Sequence, residues 1–431
     1  MTDLAFLPTL PLTMSYPLLF GVLLVAGMLG GEAARQLRLP RVIGYVLVGF
    51  AIAPAAAAMN IGPLLDEARI FVDIGLGLVL FDLGRRMDLA WLKRDWTLAA
   101  SGLAESFLTF GLVFAALAAL GFAPLMAGLA AAIAMATSPA VVLLVVQDAR
   151  ADGQVTDRAL TLVALNSLLA SVVVTMLTAP VHFELHLDLD TAVLHPLYLF
   201  VGSLALGGAM AWVARMLAHR VERNPELHFT LVAGLVLGAV GLAQMGRLSV
   251  ILALLALGMF VRNDRDRHIL VNVDLGRASR LFYIVLFVIT GASLPLSSFE
   301  TAGWAALAFI GARAAGKFLG VVAIAPLGGI RWRQSVALGT ALLPMSALAL
   351  LLLHDVTRLH PAFGAEIAAI VIAGVIVMEI AGPLATQWAL RFAGEAAPPP
   401  DPLAATRPPA ARPMEPPKPA EPPKPIETKD A

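Results

Sequence analysis

Two basic residues four apart, Arg313 and Lys317, sit inside the otherwise apolar stretch Ile310-Gly311-Ala312-Arg313-Ala314-Ala315-Gly316-Lys317-Phe318. In a helix that spacing places both on one face, and two like charges on one face need carboxylates, carbonyls or water opposite them. Arginine keeps its proton, whereas a desolvated lysine can release one, so Lys317 is the better proton carrier of the two. Each lies about ten residues from either end of its apolar run, too deep to snorkel to an interface. Four carboxylates fall in other apolar stretches: Asp73, Asp82, Glu105 and Glu379. Asp82 is close to Arg85 and Arg86 and reads as a local salt bridge, and Asp73 as a residue near the outer mouth. Glu105 is open between pairing with Lys317 or Arg313 and packing against the end of an interrupted helix. Glu379, in Glu379-Ile380-Ala381-Gly382-Pro383, is the expected partner of the basic pair. The chemistry of this set is the binding and release of protons and small ions. Cysteine is absent, which removes thiolate metal sites and cysteine nucleophiles. The histidines are dispersed: His354 reads as interfacial, and His182 and His186, expected in an external loop, are the one close pair. With no arrangement for metal binding or nucleophilic catalysis and no cofactor motif, an enzyme is not expected.

The elements that must hold these groups are interrupted helices. Residues 124 to 181 form an apolar helix broken at Thr137-Ser138-Pro139-Ala140, a short polar turn, and a second apolar helix carrying Asn166-Ser167. Proline removes a backbone donor and clashes with the carbonyl one turn back, so Pro139 predicts an unwound centre. Pro344, in Ala341-Leu342-Leu343-Pro344-Met345-Ser346-Ala347, interrupts a second apolar helix at about 332 to 355 in the same way. Freed backbone groups at bilayer depth are tolerable only where they line a cavity or meet protein partners. A matched pair of such breaks in two halves of a chain points to the binding site of a secondary transporter.

Hydrophobic residues make up 59% and charged residues 14% of the 431 positions, with a mean hydropathy of +0.83. This composition is that of an all-α polytopic membrane protein lying in a lipid bilayer. The formal net charge is zero, and no basic stripe of the kind that binds nucleic acid occurs. Asp3 is the one charge before Glu32, which argues against a cleaved signal peptide and for a retained first helix. Apolar runs of membrane-spanning length fall at 15–34, 41–58, 68–84, 97–120, 124–147, 159–180, 195–217, 227–245, 248–262, 280–296, 303–327, 334–354 and 364–390, predicting thirteen spans. Between them, nineteen Lys and Arg fall in one set of alternate loops and three, Arg69, Arg247 and Arg358, in the other. Cytoplasmic loops carry the excess, so the N-terminus is expected outside and the C-terminus inside.

A shift of seven helices superimposes the halves with inverted topology. The stretch from Pro40 to Phe50 resembles that from Arg247 to Phe260 in position and small-residue punctuation, and the break at Pro139 pairs with that at Pro344. The reading is six plus one plus six, two inverted repeats joined by the seventh helix. Residues 1–392 then form the transmembrane domain. The last 39 residues, 393–431, hold 13 of the 29 prolines among scattered charges and are expected to be a disordered, Pro-rich cytoplasmic tail.

At this point the residues match a family. Leu39-Pro40-Arg41-Val42-Ile43-Gly44-Tyr45 with Gly49, Gly75-Leu76-Gly77-Leu78-Val79-Leu80-Phe81, Ala136-Thr137-Ser138-Pro139-Ala140-Val141-Val142, Arg313 to Lys317, and the ending from Glu379 to Glu395 resemble the monovalent cation:proton antiporter-2 family, which includes Kef-type and related sodium/proton antiporters. The resemblance spans about residues 15 to 395. It implies the sodium/proton antiporter fold with two broken helices that cross, a homodimer in the inner (plasma) membrane, a bundle that moves like an elevator, and exchange of sodium or potassium for protons. In that family the sixth helix carries an Asp-Asp or Asn-Asp pair whose second acid binds the cation or proton. Here the matching residues are Asn166 and Ser167, neither of which ionises. Three readings follow. Glu379 or Glu105 carries the proton while Asn166 and Ser167 offer neutral oxygens; or Lys317 alternates as the proton carrier; or antiport has been lost and the chain is a sensor, a structural membrane protein or a carrier of another small solute.

Overall fold

The computed structural model describes residues 15–58, 69–186, 189–222, 224–264, 280–359 and 361–397, and the Pro-rich segment from 398 onward lies outside them. Every regular element among the described residues is helical. In chain order they are α1 (Tyr16–Gln36), α2 (Arg41–Ala58), α3 (Arg69–Arg86), α4 (Leu89–Arg94), α5 (Trp96–Ala119), α6 (Pro124–Met135), α7 (Pro139–Ala149), α8 (Gln154–His186), α9 (Leu189–Ala218), α10 (Pro225–Met245), α11 (Val250–Asn263), α12 (Arg280–Ser293), α13 (Ser298–Ile324), α14 (Trp332–Ala341), α15 (Ala347–Leu359) and α16 (Pro361–Ala393). Helix occupies each apolar run read from the sequence, and eight of the helical segments are long and apolar enough to cross a membrane by length and composition. Two local expectations change. Residues 182 and 186 lie within α8, not in a loop. The run expected to start at 303 begins a turn earlier, and Gly303 takes φ 51°, ψ −132° as a kink inside α13.

The helices pack as two bundles. In one, α2 lies against α12 and α1, and α3 against α11, with α9 and α10 beside them. In the other, α5 lies against α13, and α16 against α13, α14 and α15, enclosing α6, α7 and α8. Residues 127–146 are buried without exception, whereas the outer helices keep large apolar side chains such as Trp212 and Trp304 exposed, as a lipid-facing surface requires.

Small residues fix close crossings between the helices, because helices in lipid associate by backbone approach rather than by burial of apolar area. Gly49 of α2 meets Gly291 of α12: a Cβ at Gly49 would stand 2.2 Å from the Val288 carbonyl oxygen. Gly84 of α3 meets Gly258 of α11 in the same manner, with a Cβ at Gly258 2.2 Å from the Phe81 carbonyl oxygen. A shift of seven spans carries α2 to α11 and α3 to α12, so one contact becomes the other. This is the inverted repeat expressed in packing.

The third crossing holds α5 to α13. A Cβ at Gly316 would lie 2.4 Å from Thr109 Cα, and one at Gly320 2.3 Å from Glu105 Cα. Gly320→Val should therefore force the helices apart and cost about 1–3 kcal/mol. Thermal unfolding in detergent checks this, with Gly311→Ala, where nothing lies within 4 Å, expected to unfold like wild type.

Candidate ion-exchange site at the helix crossover

The first interrupted helix ends at Met135 and resumes at Pro139. Pro139 occupies the first turn of α7, where a missing N–H costs nothing, and Ser138 caps that turn by accepting from Val141 N. The second ends at Ala341 and resumes at Ala347, with Pro344 between. The two breaks touch: Ser138 N donates to the Pro344 carbonyl at 2.9 Å and Thr137 Oγ1 to the Leu342 carbonyl at 3.0 Å. The crossing implied by the resemblance is thus a set of named bonds.

Arg313 closes it. Its guanidinium donates to Ala134 O at 3.1 Å and Ala136 O at 2.8 Å on the first break, and to Leu343 O at 2.6 Å and Pro344 O at 3.2 Å on the second. One turn further along α13, the Lys317 ammonium donates to Met135 O and forms an ion pair with Glu105 Oε2 at 2.8 Å. Glu105 Oε1 accepts from Asn166 Nδ2 at 2.9 Å, and the same amide nitrogen also donates to Thr137 Oγ1 at 2.9 Å. Asn166 Oδ1 accepts from Thr137 N at 3.3 Å. Arg313, Lys317, Glu105, Asn166 and Ser167 are all 0% exposed. Ser167 takes no part in the network, because its hydroxyl donates to the Val163 carbonyl one turn back at 2.6 Å.

The expected pairing of Glu379 with Lys317 or Arg313 is overturned. Both Glu379 carboxyl oxygens are buried with no hydrogen-bond partner, and Glu105 holds the lysine instead. The cause is local. Gly316 and Gly320 flank Lys317 and bring that face of α13 onto α5, while Arg313 is fully engaged with carbonyls. The small-x-x-x-small spacing of Gly316 and Gly320 is the sequence signal that marks this contact. Elsewhere Asp82 bonds Arg85 at 2.7 Å and Arg86 at 3.4 Å, as expected. Asp73 and His354 line one cavity between α3, α12, α15 and α16.

Two carboxylates outside the apolar runs anchor the helices that carry the site. Asp95 caps α5 and pairs with Arg158 of α8 at 2.6 Å. Glu395, beyond the end of α16, accepts from Val155 N, Thr156 N and Thr156 Oγ1 at 2.7 to 2.8 Å, capping α8. Burial pushes the Asp95 carboxyl up, but hydrogen bonds from Thr97 and the Arg158 guanidinium outweigh it and hold it below the usual range. A depressed value contributes stability above the ordinary aspartate range, and that contribution is lost as pH falls through the depressed value. Asp95→Asn should thus unfold at a lower temperature than wild type near neutral pH, the gap narrowing as pH drops below about 4. Removing the guanidinium strands four carbonyls, so Arg313→Met should cost about 3–5 kcal/mol, with Arg313→Lys recovering part of it. Unfolding of purified protein in detergent measures both.

Comparison with known proteins is consistent with this geometry. The family model described as "Sodium/hydrogen exchanger, transmembrane" matches residues 20–391. No curated protein sequence matches the chain. A solved structure of the sodium proton antiporter MjNhaP1 from Methanocaldococcus jannaschii at pH 8 superimposes with a TM-score of 0.64 at 20% identity, covering 88% of this chain and 98% of that one. An electron-microscopy structure of the same antiporter gives the same values. At that identity the likeness shows a shared fold, with its two broken, crossing helices. The family match over most of the chain decides the rest: this protein belongs to the sodium/hydrogen exchanger family of membrane transporters.

Proposed function

We propose that this chain exchanges a monovalent cation, sodium or potassium, for protons, and that the Glu105–Lys317 pair is the exchange centre. The observation that carries the proposal is the ion pair itself, fully buried and set against the crossover. Each ion of such a pair has lost several kcal/mol of hydration, so the pair is poised to trade one cation for another. In the resting arrangement the ammonium of Lys317 is the cation held by Glu105. A metal ion that reaches the carboxylate finds further oxygens in Thr137 Oγ1, Asn166 Oδ1 and the Met135 carbonyl, all hard donors suited to a group 1 ion. Lys317 then releases its proton and becomes neutral, so one proton leaves as one cation arrives and the charge of the site is unchanged. In this scheme Asn166 fixes the carboxylate and Ser167 has no ionic role. That MjNhaP1, which shares the fold, is a sodium proton antiporter supports the reading.

The remainder of the proposal concerns setting. The chain is read as a homodimer in the plasma membrane with thirteen crossings, N-terminus outside, in which the bundle holding the crossover moves against the other. The competing reading is a degenerate homologue, sensor, structural protein or carrier of another solute, and it has in its favour that Ser167 is turned back on its own helix.

The test is flux in proteoliposomes with a trapped pH dye and an imposed pH gradient. Wild type is expected to dissipate the gradient on addition of sodium or potassium. Lys317→Ala and Glu105→Gln should slow it by about 10²-fold, the scale of a lost proton carrier. The double Glu105→Gln/Lys317→Gln removes both buried charges together and should fold while remaining silent. A silent wild type alongside an active Ser167→Asp would instead establish the degenerate reading.

A further inference from the structure

The acid absent from α8 has a counterpart on the other side of the crossover. Glu379 of α16 is 0% exposed, and neither carboxyl oxygen has a hydrogen-bond partner. The Ser346 hydroxyl, beside it and also 0% exposed, is without a partner as well. The backbone brings the two segments together: Gly382, one turn beyond Glu379, packs so tightly on the second break that a Cβ there would stand 2.6 Å from Pro344 Cα. Other charges on the helices packed against α16 are engaged elsewhere or distant. Arg313 is committed to four carbonyls and Lys317 to Glu105. Asp148 lies at the far end of α7 beside Arg41, and His354 and Asp355 lie two turns along α15 from its start.

The position follows from the inverted repeat. A shift of seven spans carries the first break onto the second and α8 onto α16. Ser138 precedes the first residue of α7 as Ser346 precedes the first residue of α15. Asn166 of α8 touches the first break through Thr137, and Glu379 of α16 touches the second through Ser346. Glu379 thus stands beside the second break on the repeat-related helix as Asn166 stands beside the first.

A carboxylate buried with no counter-charge and a single hydroxyl for a neighbour is among the costliest arrangements a membrane interior can hold. A proton removes that cost, and so does a small cation. A cavity of about 320 Å³ lies nearby, lined by Asp73, Thr290, His354 and Thr357 and also by Ala347 and Ile372. Ala347 adjoins Ser346, and Ile372 lies two turns from Glu379 on the same face of α16.

We propose that Glu379 and Ser346 form a second ion-binding position, distinct from the Glu105–Lys317 pair, at which the Glu379 carboxyl holds a proton that a monovalent cation displaces. The O–H bond of the acid breaks, the proton is released from the site, and the cation takes its place on the carboxylate with Ser346 Oγ as a neutral ligand. Charge balances at one proton for one cation. The exchange of ions here rests on the antiport reading, whereas the presence of a lone, titrating carboxyl does not.

Infrared difference spectroscopy on the purified full-length protein separates the two. Spectra of wild type should contain a protonated-carboxyl C=O band that is lost in Glu379→Gln, shifted but retained in Glu379→Asp, and diminished when sodium or potassium chloride is added to wild type. Because Glu379 has no counter-charge to lose and glutamine still offers the Ser346 hydroxyl an acceptor, Glu379→Gln should unfold close to wild type. In proteoliposomes it should slow cation-driven proton flux about tenfold or more and change its pH profile, and Ser346→Ala should raise the cation concentration for half-maximal rate. A band that survives in Glu379→Gln, or one indifferent to both cations in a wild type that transports, overturns the proposal. So does a Glu379→Gln protein whose flux and pH profile match wild type. If wild type carries no flux, the antiport reading fails, and the cation dependence of the band still decides whether Glu379 binds ions.

Discussion

Two helices that stop at bilayer depth leave carbonyl oxygens with neither water nor a following turn to satisfy them, and in this protein one guanidinium meets four of those oxygens. Unmet, each would cost several kcal/mol in a lipid interior. Arginine suits the task because its donors form a rigid planar fork and its charge survives burial better than that of an ammonium. Since Arg313 reaches Ala134 and Ala136 on one chain segment and Leu343 and Pro344 on the other, it ties the breaks to each other as well as capping them. The polar site exists because this staple lets backbone be open there.

Once Arg313 fixes the crossover, Lys317 one turn away on the same face must lie near it too, and Gly316 and Gly320 decide what it meets. They draw α13 onto α5 until Glu105 is in reach. Asn166 then completes the ring between carboxylate and Thr137. The site thus carries two fixed positive charges and one negative charge, with the aspartate position of the family pattern held by a hydroxyl that bonds its own helix. Such a site does not attract a further cation until one positive charge departs. In the proposed exchange, that condition couples proton release by Lys317 to arrival of a metal ion.

Much of this was legible in the sequence because membrane constraints are written in few letters. Apolar runs set the helices, two prolines in corresponding positions marked the breaks, and charges inside apolar runs marked the site. Arg313, Lys317, Glu105, Asn166 and Thr137 all meet at the crossover. The partner of Lys317 was not legible from charge alone: Glu379 and Glu105 are both acids in apolar helices, and the choice between them is made by where glycines allow backbones to touch. Nor did any pattern show that Ser167 would bond backward to Val163, or that Glu395 would cap α8, since both depend on rotamers and chain reversals that spacing does not encode. The pairing of Gly49 with Gly291 and of Gly84 with Gly258 was half visible, because Gly49 and the small-residue punctuation between Arg247 and Phe260 stood out but their partners did not.

The central claim is that a cation takes the place of the Lys317 proton at Glu105 without changing the charge of the site. Its most direct test is the dependence of transport on voltage. Proteoliposomes containing the wild-type protein are given a fixed sodium or potassium gradient, and proton flux is recorded while the membrane potential is set independently. One proton for one cation predicts a rate that does not follow the potential and no net current. A rate that rises with potential, or a current accompanying transport, would mean that charge moves with each cycle and that the exchange centre is not the pair described.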